Sequence, residues 1–338
     1  MEVPPEVFLD RFLRSGDRRE ADRATYKGKQ NLQALEPDLG SLLTNLQETL
    51  NADLRRGGNT FALGDTHKFH FDYVDATRPN ALSFEHVGYA FICLTTPLVR
   101  ALWRMCELMS KSALVAEHLK LGAVSPPRDA VLALLFTNQF AFITAHEFAH
   151  HDRGHFRQRS KAGLWEEIGA LDAVGSMAQQ AQEIDADAWA VYLVLSHLVR
   201  GQRRESTKTL LGFETASDAS IDEVFVASFI VAVAAVLSIF PPSSFDRRTL
   251  YELTHPPQAA RMNAIMHRVK IWCEQNRPAL TSWLTLGRYQ ALMRAASEAV
   301  SELGASSDWS RQEQFFHTPA GAEYFERLHG LVVELVTN

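Results

Sequence analysis

A chain of 338 residues with 46% apolar and 22% charged residues can bury a sizeable core, which excludes a disordered or collagen-like protein. Thirty-four basic against 40 acidic residues leave a formal charge of −6, which argues against a broad nucleic-acid-binding surface. Cys93, Cys106 and Cys273 form neither a CxxC metal clip nor an even disulfide framework, and the start carries no apolar run after basic residues, so the expected compartment is a reducing cytoplasm.

The first ~30 residues mix Arg11, Arg14, Arg18, Arg19, Arg23, Lys27 and Lys29 with acids and read as a solvated helical or loose stretch, the start of an N-terminal helical leader over residues 1–60. Within it, Leu39, Leu42, Leu43, Leu46, Leu50 and Leu54 recur at helical spacing and stop near Gly57-Gly58. The period then changes. Phe69, Phe71 and Tyr73 alternate with His70 and Asp72, the pattern of a half-buried strand, and Val87–Thr95 is a second strand rich in β-branched and aromatic residues. Pro97 opens a helix through Met109, and Ser125-Pro126 caps a long helix running to about His151. Further helices are expected over 164–198, 221–240, 258–275, 280–303 and 321–336. One of them, Val224–Phe240, carries no charge and is closed by Pro241-Pro242; its Ala and Val content suits a helix packed on all sides. The expected fold is α+β and predominantly helical, with a small sheet before the longest helix, a core over 61–265 and a helical extension over 266–338 packed on it.

Chemistry concentrates in ITAHEFAHHDRGH, from Ile143 to His155. His146 and His150 are four apart, so on a helix both imidazoles leave the same face one turn apart and can share a metal. Glu147 stands beside the first of them, where a carboxylate reaches a water on the metal and serves as general base. A catalytic zinc wants three protein ligands and one open position. The third ligand is not a histidine six residues after His150, because Phe156 stands there. Among later acids, only Glu183 lies in an apolar-faced helix with an Asp one turn on: EIDADAWAVYLVL puts Glu183 and Asp187 on one face, a ligand plus a carboxylate able to hold a ligand imidazole. Asp185 is read as a solvated acid. No role is assigned to His155.

HEFAHHDRGH followed by EIDAD resembles the HExxH…ExxAD signature of gluzincin metallopeptidases, especially the branch of the CAAX prenyl proteases and the heat-shock membrane protease. Asn80-Ala81-Leu82-Ser83 before a strand is similar to that branch's Asn-Ala-Phe-Ala motif, with Leu82 and Ser83 departing from it. THPPQAARM, with His255, Pro256 and Arg261, is similar to its His-Pro…Arg motif. PNALSFEHVGYAFICLTTPLVRAL looks closer to a soluble bacterial group, the phage-exclusion peptidases, which cleave a host protein when infection is sensed. The resemblance spans roughly residues 80–262 in order and implies a zincin-like fold, one catalytic Zn2+, a protein or peptide substrate and an activator or regulatory partner, while the membrane helices typical of that branch's integral members are missing here. It also implies that His255 stabilises the oxyanion while Arg261 holds that region.

The expected activity is a zinc-dependent endopeptidase using metal-activated water, with Glu147 as base. Asn80, Ala81, Val87, Gly88, Tyr89 and Ala90 are expected to form an edge to which an extended substrate adds through its backbone. Two other readings stand beside this one. An HD-type phosphohydrolase would use His151-Asp152 with His118 and Asp172, and a non-catalytic zinc-containing regulatory protein would use the metal only as structure. If His255 and Glu183 share a site, a single membrane crossing between them is topologically impossible, which favours Val224–Phe240 as a core helix.

Overall fold

A computed structural model of the chain describes residues 3–14, 25–56, 68–121, 126–158, 166–167, 175–202, 204–239, 249–303 and 309–337. Arg18, Arg19, Arg23, Gly57-Gly58, Ser125, Asp172 and Pro241-Pro242, all used in the sequence reading, lie outside the described residues. The fold is predominantly helical α+β, and it divides into two compact units: residues 1–101 with 147–170, and residues 102–146 with 171–338.

The first unit carries the sheet. Its elements are helix α1 (Pro5–Arg14), strand β1 (Tyr26–Lys29), helix α2 (Pro37–Arg56) and strands β2 (Lys68–Ala76), β3 (Ala81–His86) and β4 (Tyr89–Thr95), joined by the two-residue strand β5 (Glu166–Glu167). The order across the sheet is β1-β2-β4-β3-β5, with β2 and β4 parallel and the other pairs antiparallel. β3 and β4 form a hairpin in which His86 pairs with Tyr89 across Val87-Gly88. Both turn residues have positive φ (50° and 77°), as the two-residue turn that matches strand twist requires; glycine meets this freely and the β-branched Val87 does so under strain.

Two expectations change here. The charged stretch at Tyr26–Lys29 is not a solvated leader: it is the strand β1, and α1 covers it with Leu9 and Leu13 fully buried among Tyr26, Val74 and Phe84. β2 is not half-buried either, because its polar residues His70 and Asp72 are enclosed as well. Asp72 gathers the charge and hydrogen bonds that make this tolerable: Lys29 Nζ lies 3.1 Å from it, Gln47 Nε2 donates to it at 2.8 Å, and His70 Nε2 lies 3.3 Å away. α2 covers this face, and its Asn51 pairs with both backbone groups of Phe71. Buried polar residues at alternate positions mimic a solvent face in sequence, which is why the alternation misleads.

α3 (Thr96–Met109) follows β4 directly, and α4 (Ala113–His118) opens on Ser112, whose side chain accepts from Val115 N. The longest helix, α5 (Arg128–Asp152), runs from the second unit into the first, the boundary falling between His146 and Glu147. The second unit is otherwise built from α6 (Met177–Arg200), α7 (Arg204–Leu210), α8 (Asp218–Ile239), α9 (Gln258–Asn276), α10 (Leu286–Val300), α11 (Trp309–Phe316) and α12 (Pro319–Thr337). α6, α9 and α10 pack on α8, and α9 and α12 pack on α6. By length and composition α5 and α8 could each cross a membrane, yet 72% and 89% of their apolar windows are buried inside the protein. The uncharged stretch is enclosed from Val224 to Ser238, as expected of a helix packed on all sides. The three cysteines are free and buried, and burial pushes the Cys273 thiol up to about 12.

Candidate metal centre

His146, Glu147 and His150 occupy the last two turns of α5 and are all completely buried. On α6, Ser176 caps the first turn by accepting from Gln179 N, and Glu183 and Asp187 follow one helical turn apart, also completely buried. His146, His150 and Glu183 each offer one ligand atom, and these atoms lie within 4.8 Å of one another. That is the one group among the described residues able to hold a metal ion. Two imidazoles and a carboxylate are a donor set that suits a borderline cation such as Zn2+.

The two ends of the His146 ring have different partners. Nε2 lies 3.4 Å from Glu183 Oε2, and Nδ1 lies 2.9 Å from Asp187 Oδ1. Burial alone would push this imidazole down, but hydrogen bonds and charge from Asp187 and Glu183 outweigh it and raise its pKa to about 10. Asp187 is held in turn by Arg261, whose Nε donates to Oδ2 at 2.9 Å and whose Nη2 donates to Oδ1 at 2.7 Å. Burial would raise the Asp187 carboxyl, yet Arg261 and His146 together hold it below the ordinary range.

His255 reaches the same carboxylate, with Nε2 at 3.5 Å from Glu183 Oε2 and the side chain 14% exposed. Thr254 Oγ1 lies 3.0 Å from its Nδ1 and so fixes which nitrogen faces Glu183. The residues Glu183 and His255 flank α8 in the chain and meet across one carboxylate, the juxtaposition on which the core-helix reading of α8 depends. Sequence reasoning missed Thr254; its only mark is adjacency to the His255-Pro256 pair, and neighbours in a loop point in directions that spacing does not reveal.

Other assignments change. Asp185, expected in water, is 5% exposed, because α6 is packed on every side over this turn. β4 is not a free edge: it is bonded to β2 on one side and β3 on the other. Tyr89 and Ala90 are therefore interior ladder residues, and Val87-Gly88 is the hairpin turn. Asn80 and Ala81 start β3, but Asn80 is buried and used internally, its side chain donating to Tyr26 Oη at 2.6 Å and accepting from Ala81 N at 3.0 Å. The histidine of the phosphohydrolase alternative, His151, donates from Nε2 to the Phe91 carbonyl at 3.1 Å and packs on Phe69 and Phe156, which fastens the end of α5 to β4. It belongs to no metal-holding group among the described residues.

A family model described as Peptidase U49 matches residues 103–280, more than half of the 338 residues. The matched stretch contains His146, Glu147, His150, Glu183, Asp187, His255 and Arg261. No curated protein and no solved structure matches the chain.

Proposed function

The chain belongs to the peptidase U49 family, and on that premise we propose that it is a zinc-dependent endopeptidase of the gluzincin type, with a protein substrate and a cytoplasmic site of action. The observation that carries the reading is the buried group His146, His150 and Glu183, with Glu147 between the two histidines in the chain. Two carboxylates, Glu183 and Asp187, converge on the buried His146 ring at 3.4 and 2.9 Å, a donor set that favours positive charge among them.

His146, His150 and Glu183 would hold the ion. When bound, a zinc ion would supply Lewis acidity, making water a better nucleophile and a peptide carbonyl a better electrophile. Glu147 takes the proton from the attacking water and passes it to the leaving amine. His255, fixed by Thr254, donates from Nε2 to the oxygen that gains charge as the carbonyl becomes tetrahedral. Asp187 fixes the His146 ring, and Arg261 fixes Asp187, so Arg261 acts two residues away from the substrate through its bidentate pair.

Metal analysis of purified protein is the direct test. The wild type is expected to carry one zinc per chain, and Glu183→Ala to carry markedly less after the same dialysis. Equal zinc in both would remove Glu183 from the ligand set, and no zinc in the wild type after incubation with the ion would overturn the metallopeptidase reading.

A further inference from the structure

α5 does not simply stop after its second histidine. Arg153 N still bonds to Ala149 O at 2.8 Å, and then Gly154 takes a positive φ of 69°, the left-handed turn that commonly ends a helix, with its N–H on the His151 carbonyl. This reverses the chain into a single 3-10 turn, His155–Gln158. The reversal lays His155 against the last turn of the helix it has just left. His155 is 1% exposed, its ring meets that of His150 edge-on at a centroid distance of 5.0 Å, and the two Nδ1 atoms lie 2.9 Å apart.

Two ring nitrogens at that distance share one hydrogen, so one donates and the other accepts. If His150 uses Nδ1 in this bond, only its Nε2 is left for a metal ion, and the Nδ1 must carry the hydrogen. His146 presents the same arrangement, with its Nδ1 on Asp187 and its Nε2 toward Glu183.

We infer that His155 is a positioning residue for the metal centre: its Nδ1 accepts the Nδ1–H of His150, which fixes the tautomer and ring plane that present His150 Nε2 to the ion. The two ligand histidines are thus oriented by unlike partners, a carboxylate clamped by Arg261 for His146 and a neutral imidazole for His150. The inference rests on the metal reading above. A histidine serving only as filling would be replaced well by another aromatic ring, and that difference makes the role testable.

His155→Phe keeps a buried ring and removes the acceptor, whereas His155→Asn keeps an acceptor near the position of Nδ1. Zinc affinity by chelator competition and the visible spectrum of the cobalt-substituted protein are read for both, with zinc-free melting curves as the fold control. His155→Phe is expected to bind zinc about 10–100-fold more weakly and to shift the cobalt bands, and His155→Asn to recover most of both. Wild-type zinc affinity and cobalt bands in His155→Phe would overturn the inference, as would an Asn variant no better than the Phe variant. Should His155→Phe fail to fold, nitrogen-15 spectra of the histidine rings in zinc-loaded wild type decide: a hydrogen on Nε2 of His155 supports the role, and one on its Nδ1 overturns it. A wild type that takes up no zinc instead defeats the metallopeptidase reading itself, so the two failures are distinct.

Discussion

At the scale of single residues, two carboxylates converge on one buried imidazole. His146 has a pKa raised from the ordinary value near 6.5 to about 10, so an ion bound there, zinc on the proposed reading, would displace a proton. The sign follows: a raised folded pKa stabilises the metal-free protein fully below about 6.5, and that contribution fades as pH rises through about 10. Zinc affinity should therefore climb from pH 7 toward 10, by roughly tenfold per pH unit for one displaced proton, while the metal-free melting temperature falls. Chelator competition at several pH values checks the first, and a flat profile would contradict the shift. Glu147 makes a complementary prediction, since it contributes no ligand. Glu147→Gln should keep its zinc and lose about 10²–10⁴-fold in peptidase turnover. Peptidase assays with parallel metal analysis test it, and undiminished cleavage would exclude Glu147 as the base.

At the scale of elements, the helices carrying the site were legible and the sheet was only partly so. The i, i+4 pairs on α5 and α6 translate directly into a shared face, because both helices are continuous through their motifs. His255 and Arg261 came from resemblance to a motif, and the structure shows what spacing cannot: the guanidinium reaches back from α9 to a carboxylate on α6. β1 was hidden because Tyr-Lys-Gly-Lys has no apolar alternation, and it joins the sheet through backbone pairing with β2. β4 was recognised as a strand but misjudged as an edge, since composition reports burial and not which neighbours supply it. The misjudgement has a measurable correction. Tyr89 pairs with Lys68 and His86, and Ala90 with Phe69 and Glu85, so each sits between two strands. Tyr89→Pro and Ala90→Pro should both abolish cooperative melting, because proline has no N–H to donate to the ladder and is excluded from interior strands. A variant that melts like wild type would mean the ladder is open at that position.

At the scale of the whole molecule, the family match ends at residue 280, but the helix that presents Glu183 depends on residues beyond it. Ala181 and Ile184 of α6 pack in one cluster with Phe316, Tyr324, Leu328 and Val332. Tyr324 Oη donates to Gln180 Oε1 at 2.6 Å, while Gln180 Nε2 donates to the carbonyls of Leu250 and Leu253, so one amide ties α12, α6 and the approach to His255 together. Ending the chain at residue 308 removes the four buried side chains Phe316, Tyr324, Leu328 and Val332, each worth about 1.5–3 kcal/mol, and leaves that amide short of a donor. The shortened protein should melt well below the full chain and retain less zinc after dialysis; equal melting and equal zinc would show that α6 holds its shape alone. The contact between His146 and Glu183 has a further consequence, because these residues are 37 positions apart in the chain. Whatever bridges them closes that loop, and a permanent tie across so long a loop removes conformational entropy from the unfolded chain worth about 4 kcal/mol. On the proposed reading a coordinated ion would be such a tie, one that unfolding must break, so occupancy of the centre and resistance to unfolding would rise and fall together.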